Sequence, residues 1–198
     1  MITVRHIERL FQAKAYAQLL REMLAGRAEN SPRLECELAG AVPAAAMALI
    51  RLDELAQSYV PLFAKLLKIV LAAQEADGGW GDPLRTAVCL RALFTSRGQG
   101  LAIQRALLYL AQMQKPQGIW PNEPLRRLPA DSFVSAYILL QLGSDTRFRQ
   151  AVRFTDAMDW FEANELTLDF HARRLWNHAA IRSRMHRAIS GQEIFSWS

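Results

Sequence analysis

Twice along the chain an apolar run ends in a glutamine, a spacer, a glycine, one further residue and a tryptophan. The segments are "QEADGGW" at 74–80 and "QKPQGIW" at 114–120, forty residues apart. The match extends beyond them. Upstream, Lys65 aligns with Arg105 and Ile69-Val70 with Tyr109-Leu110; downstream, Asp82 aligns with Asp131, Thr86 with Ser135 and Ala87 with Ala136. The second copy sets Asp 11 positions after Trp rather than 2, which marks an inserted loop. A period of ~40 residues is the signature of a repeat array, in which each supersecondary unit buries its apolar face against the next. A third, fainter copy spans 150–161, with Ala151 and Phe154 set on Ala106 and Tyr109.

Apolar residues recur at helical spacing nearly throughout, and no period-two run stands out. The pattern predicts eight helices, at about 3–25, 33–51, 58–74, 83–96, 100–114, 131–142, 146–163 and 168–189. Gly78, Gly79 and Gly81 punctuate one junction, Gly98 and Gly100 another, and "KPQGIWPNEP" a third. The expected fold is therefore all-α, a single domain over 1–198. A chain of 198 residues buries roughly 70% of its unfolded surface, enough for a core without disulfides or metal. Asp82 precedes Pro83, an N-cap followed by proline at the first helical position, and Asp131 is placed to cap in the same way.

Charge and cysteine usage narrow the classes further. Cys36 and Cys89 stand alone, with no metal-ligand spacing, so neither a zinc centre nor any other cofactor is expected. The N-terminal stretch is charged every few residues and no apolar segment is long enough to span a bilayer, so a cytoplasmic protein is predicted. The net charge is +5, with twenty Arg against four Lys, and five of those arginines fall in "HARRLWNHAAIRSRMHR" at 171–187. No nucleic-acid motif accompanies them, and the run reads as a solvated helix face. On that helix His171, Leu175, His178, Arg182, Met185 and Ile189 share one face, with His186 at its edge. Two imidazoles with an arginine behind them can grip a phosphate or shuttle a proton.

The segment "RALLYLAQMQKPQGIW" resembles the QW motif of the squalene–hopene and oxidosqualene cyclases, with Arg105, Ala106, Tyr109, Leu110, Gln114, Gly118 and Trp120 in its seven positions. "KLLKIVLAAQEADGGW" is a poorer copy, with Leu66 for the small residue and Ile69 for the aromatic. The resemblance is best defined over 65–142. It implies an α/α toroid, shared with protein prenyltransferase β-subunits, in which inner helices surround an apolar funnel and the Gln–Trp pairs staple neighbouring hairpins. Eight helices make about four hairpins, fewer than the family's closed ring. An open ring, or a homodimer that completes it, follows.

The resemblance also carries an activity. Family members protonate an alkene with an Asp-x-Asp-Asp stretch ahead of Thr-Ala; aligned on Ser135-Ala136, this chain has Asp131-Ser132-Phe133-Val134. The first Asp is kept and both catalytic acids are replaced, so class II cyclisation by that mechanism is not expected. The candidate catalytic residues that remain are Asp131, His171 and His178, with Phe133, Tyr137 and Arg182 as candidate substrate contacts. Two functions follow from this. One is a small terpenoid-cyclase-like enzyme of isoprenoid-type metabolism, holding an apolar, optionally diphosphate-bearing substrate in the funnel. The other is a non-catalytic toroid fragment that binds a lipid, a peptide or a partner protein. Neither calls for nucleic acid or a transmembrane segment.

Overall fold

A computed structural model describes residues 2–27, 29–125 and 128–195, with side chains described as far as Ser183. Met185 and Ile189, placed by the sequence on the same face of the last helix as His171 and His178, and His186 at its edge, lie outside the residues with described side chains. Among the described residues the fold is all-α: α1 (Val4–Gln12), α2 (Tyr16–Leu24), α3 (Pro32–Glu37), α4 (Ala41–Glu54), α5 (Pro61–Ala72), α6 (Pro83–Phe94), α7 (Gly100–Met113), α8 (Ser132–Leu142), α9 (Thr146–Ala151), α10 (Phe154–Asn164) and α11 (Phe170–Phe195). A short 3-10 turn, Glu165–Thr167, precedes α11. No helix among the described residues is long and apolar enough to cross a membrane.

Three of the eight predicted helices are each divided in two, and each division has a local cause. The first breaks at Lys14, whose φ of 54° ends α1 in a left-handed cap. Ala15 N donates to Leu10 O and Lys14 N to Phe11 O, the paired bonds of a Schellman motif. Ala56, also at φ 54°, ends α4 in the same way. The second division falls at Gly40, whose φ of 141° separates α3 from α4. The third lies at Val152, in extended conformation, so that α10 starts afresh at Phe154.

The chain forms two compact units, 1–110 and 111–198. In the first, α4 packs against α5, α6, α2 and α1. In the second, α8 packs against α11. Burial alternates along the sequence. Nine of the 14 residues of α4, nine of the 12 of α6 and ten of the 11 of α8 are buried, so these helices are covered nearly all round. Between them, four of 12 are buried in α5, five of 14 in α7 and three of 11 in α10, the narrower stripe of a helix with one wet face.

Candidate functional site

The two Gln–Trp junctions use the same hydrogen bonds. In the first, Glu75 N donates to Gly79 O and Gly78 N to Glu75 O; in the second, Lys115 N donates to Ile119 O and Gly118 N to Lys115 O. Gln74 Nε2 donates to Gly78 O and to Ala102 O in the first turn of α7, both at 2.9 Å. Gln114 Nε2 donates to Gly118 O at 2.7 Å and to Arg153 O at 3.1 Å, and its Oε1 accepts from Arg153 N at 2.7 Å. The second glutamine thus supplies the start of α10 with a backbone-like partner for both N–H and C=O. Trp80 N donates to Thr86 Oγ1 at 3.0 Å, and Trp120 N to Ser135 Oγ at 2.8 Å. Those hydroxyls occupy the two aligned positions. Asp82 and Asp131 then cap α6 and α8, accepting from Arg85 N at 2.8 Å and Val134 N at 3.0 Å.

Two glycines let these turns press on a neighbouring helix. Gly78 has φ 95°, and a Cβ on it would stand 2.5 Å from the carbonyl oxygen of Arg105. Gly118 has φ 84°, and a Cβ there would run into the backbone nitrogen of Ala157. The contacted peptides, Arg105–Ala106 and Asp156–Ala157, lie 51 residues apart, as do the glutamine acceptors Ala102 and Arg153. The third copy is therefore in a different register from the one read in the sequence. Ala157, not Ala151, matches Ala106; Trp160, not Phe154, matches Tyr109; and Glu165 takes the glutamine position. The sequence alignment slips because α9 and the break at Val152 add residues ahead of α10. At this third junction Asp169 caps α11, accepting from His171 N at 2.8 Å and Ala172 N at 2.9 Å. No Gly-x-Trp follows Glu165. Instead Arg173 donates to the carbonyls of Glu165, Leu166 and Leu168, holding the turn with a guanidinium.

The residues singled out for chemistry take the following places. Asp131 is the cap just described. Phe133 and Tyr137 are 1% and 0% exposed, in the core of α8. His171 and His178 are exposed on α11, with the His171 ring edge-on to Phe170 at 5.4 Å. Arg182 Nη1 donates to Leu140 O at 3.0 Å, near the C-terminal end of α8. Asp131 sits at the other end, nine residues away and hence ~14 Å along the axis. Asp131 and Arg182 therefore do not share a site.

Three of the cavities among the described residues are lined by other residues. One, of about 630 Å³, is walled by Thr3, His6, Glu22, Met23, Arg27 and Arg51. One of about 390 Å³ lies against Lys115, Ile119 and Trp160, and one of about 330 Å³ against Gly40, Pro43, Trp80 and Arg85. In the first, His6 Nε2 meets Glu22 Oε2 at 2.5 Å while Arg9 Nη2 lies 2.9 Å from His6 Nδ1. Arginine can only donate, so Nδ1 accepts and Nε2 carries the proton directed at Glu22. Gln18 and then His6 hold the Glu22 carboxyl below the usual range. Burial acts to raise Glu54, but the hydrogen bonds from Arg27 and Arg51 outweigh it and keep that carboxyl low. Sequence reasoning passed over this cluster because its partners are distant along the chain: 16 residues for His6–Glu22 and 27 for Arg27–Glu54.

Two further groups are perturbed near α6. Burial pushes the Asp82 carboxyl up, opposed by the Arg85 hydrogen bond and reinforced by the charge of Glu37. Glu37 Oε2 is itself buried without a hydrogen-bond partner among the described residues. The thiol of Cys89, fully buried, is raised by desolvation and is a small apolar filler rather than a nucleophile. Among the described residues no group of three or more His, Cys, Asp or Glu is placed to hold a metal ion. No family model matches this chain, and no curated protein or solved structure matches it either.

Proposed function

We propose that the protein is a non-catalytic, toroid-like array of αα-hairpins that binds a partner protein, related in plan to the terpenoid cyclases and prenyltransferases but without their chemistry. The observation that carries this reading is the use to which the retained acid is put. Asp131 accepts from Val134 N as the cap of α8, and the adjacent positions hold Ser132, Phe133 and Val134, with no second carboxyl to strengthen it as an acid. Phe133 and Tyr137, the side chains a funnel would need, are enclosed in the core and line none of the three cavities. Large exposed apolar side chains lie on the surface instead, with Leu166 at 91% and Phe170 at 73% flanking the third junction.

Native mass spectrometry of protein purified from its own host tests the reading. The expected result is a complex with a second polypeptide that dissociates when Leu166 and Phe170 are both changed to Ser. A co-purified isoprenoid or diphosphate-bearing molecule, or turnover of a prenyl substrate that Asp131→Asn abolishes, would replace it with the enzymatic reading. A homodimer would favour two chains completing one ring.

A further inference from the structure

One surface stripe of the repeat changes sign from copy to copy. The sequence sets Lys65 on Arg105, and the glycine contacts set Arg105 on Asp156. Three residues further on, Lys68, Leu108 and Asp159 correspond in the same way. At these two positions α5 therefore carries two ammonium groups and α10 two carboxylates. Residues three apart are neighbours on a helix surface, so each pair sets like charges side by side, at a small cost to its own helix. Lys65, Lys68, Asp156 and Asp159 are all exposed. Among the described residues, none of these four side chains makes an ion pair or a hydrogen bond. The middle copy differs. There Arg105 Nη2 donates to the carbonyls of Glu75 and Ala76, at 2.8 and 3.0 Å, and Leu108 is uncharged.

We propose that the α5 stripe of one copy of this chain docks on the α10 stripe of another, with Lys65 and Lys68 set against Asp156 and Asp159. The charges are opposite and the spacing within each pair is the same, so both ion pairs form at once. Pro61, Ala64 and Ala72, exposed at helical spacing beside the lysines, and Ala163, exposed beyond the aspartates, are small enough to let a second helix lie close. Exposed ion pairs are individually weak, so these charges select the partner and its orientation more than they add strength, and the association is a weak one. The contact uses neither Leu166 nor Phe170 and goes beyond the partner-protein reading above.

The test is sedimentation velocity of the full chain over a concentration series. Reversible self-association is expected, weaker at ~500 mM than at ~50 mM sodium chloride because salt screens exposed charges. A Lys65→Glu, Lys68→Glu variant and an Asp156→Lys, Asp159→Lys variant each set like charges face to face, and each should lose at least ~10-fold in association constant. Mixed in equal amounts they should bind one another, since the first then has two acidic stripes and the second two basic ones. A chain with all four reversals should regain self-association. Leu166→Ser with Phe170→Ser should leave it unchanged, so that loss of this contact and loss of a partner protein are read separately. Single reversals, Lys68→Glu and Asp159→Lys, keep the test decisive if a double variant does not fold. A wild type that stays monomeric throughout overturns the proposal. So does self-association that the reversals leave intact or that the Leu166 and Phe170 changes abolish, and so does a mixture that fails to associate.

Discussion

At the scale of single residues, Gly78 and Gly118 are constrained twice over, by positive φ and by a helix backbone where a Cβ would go. Gly118→Ala should cost ~2–4 kcal/mol in urea unfolding, since neither the turn nor the backbone of α10 can yield cheaply. Gly98 also has positive φ, at 84°, but nothing lies within 4 Å of a Cβ there, and Gly98→Ala should cost only ~1 kcal/mol. Equal losses at the two sites would mean that close packing on α10 contributes nothing. Asp82 separates capping from charge. Asp82→Ala removes the oxygen that accepts from Arg85 N and should lose ~1 kcal/mol, whereas Asp82→Asn keeps a cap and should be neutral or stabilising at pH 7. Its carboxyl is raised in the folded state, so the folded chain holds the proton more tightly. Its contribution to stability therefore falls as pH rises from the ordinary aspartate value through the raised one. Asp82→Asn should flatten that part of a stability–pH profile; an unchanged slope would show that the carboxyl is not perturbed.

At the scale of elements, the glutamines decide where helices meet. Gln114 is 4% exposed and makes three backbone hydrogen bonds, two of them to Arg153 at the start of α10. Gln114→Ala leaves those groups without partners and should cost ~2–4 kcal/mol. Gln74, half-buried with two such bonds, should cost less. Hydrogen exchange gives the local readout: the Arg153 amide, which donates to Gln114 Oε1, should lose most of its protection in the variant. If that amide stayed protected, another group would be capping α10. The sequence made the repeat legible because its signals are short-range, a glycine, a tryptophan and a capping Asp within a few positions. The breaks at Lys14 and Val152 were not legible, since a lysine in the left-handed region and a valine in extended backbone carry no composition cue.

At the scale of the whole molecule, acid should weaken the fold in a predictable direction. Burial acts to raise Asp145, but Arg147 outweighs it and holds the carboxyl low, as Arg27 and Arg51 do for Glu54. Folded values below unfolded ones contribute stability that is present at neutral pH and is lost as pH falls through the folded values. Melting temperature should thus decline below about pH 4.5, and the decline should be shallower in a Glu54→Gln, Asp145→Asn double variant. A double variant with the wild-type acid slope would remove these two pairs from the account. The N-terminal cleft belongs to this scale as well. Thr3, His6, Glu22, Arg27 and Arg51 come from three helices and a loop, and no motif in the sequence announces them.

The sequence by itself determined the all-α class, the position of the two junctions and the caps Asp82 and Asp131, because each follows from periodicity or from residues close together along the chain. Tertiary structure alone decided three things. It set the register of the third copy, because the peptides that Gly78 and Gly118 press against are fixed by helix packing. It set the start of α10, because its capping partner Gln114 lies 39 residues upstream. And it put two arginines on one carboxylate oxygen, because Arg27 reaches Glu54 only when the loop after α2 is folded against the end of α4.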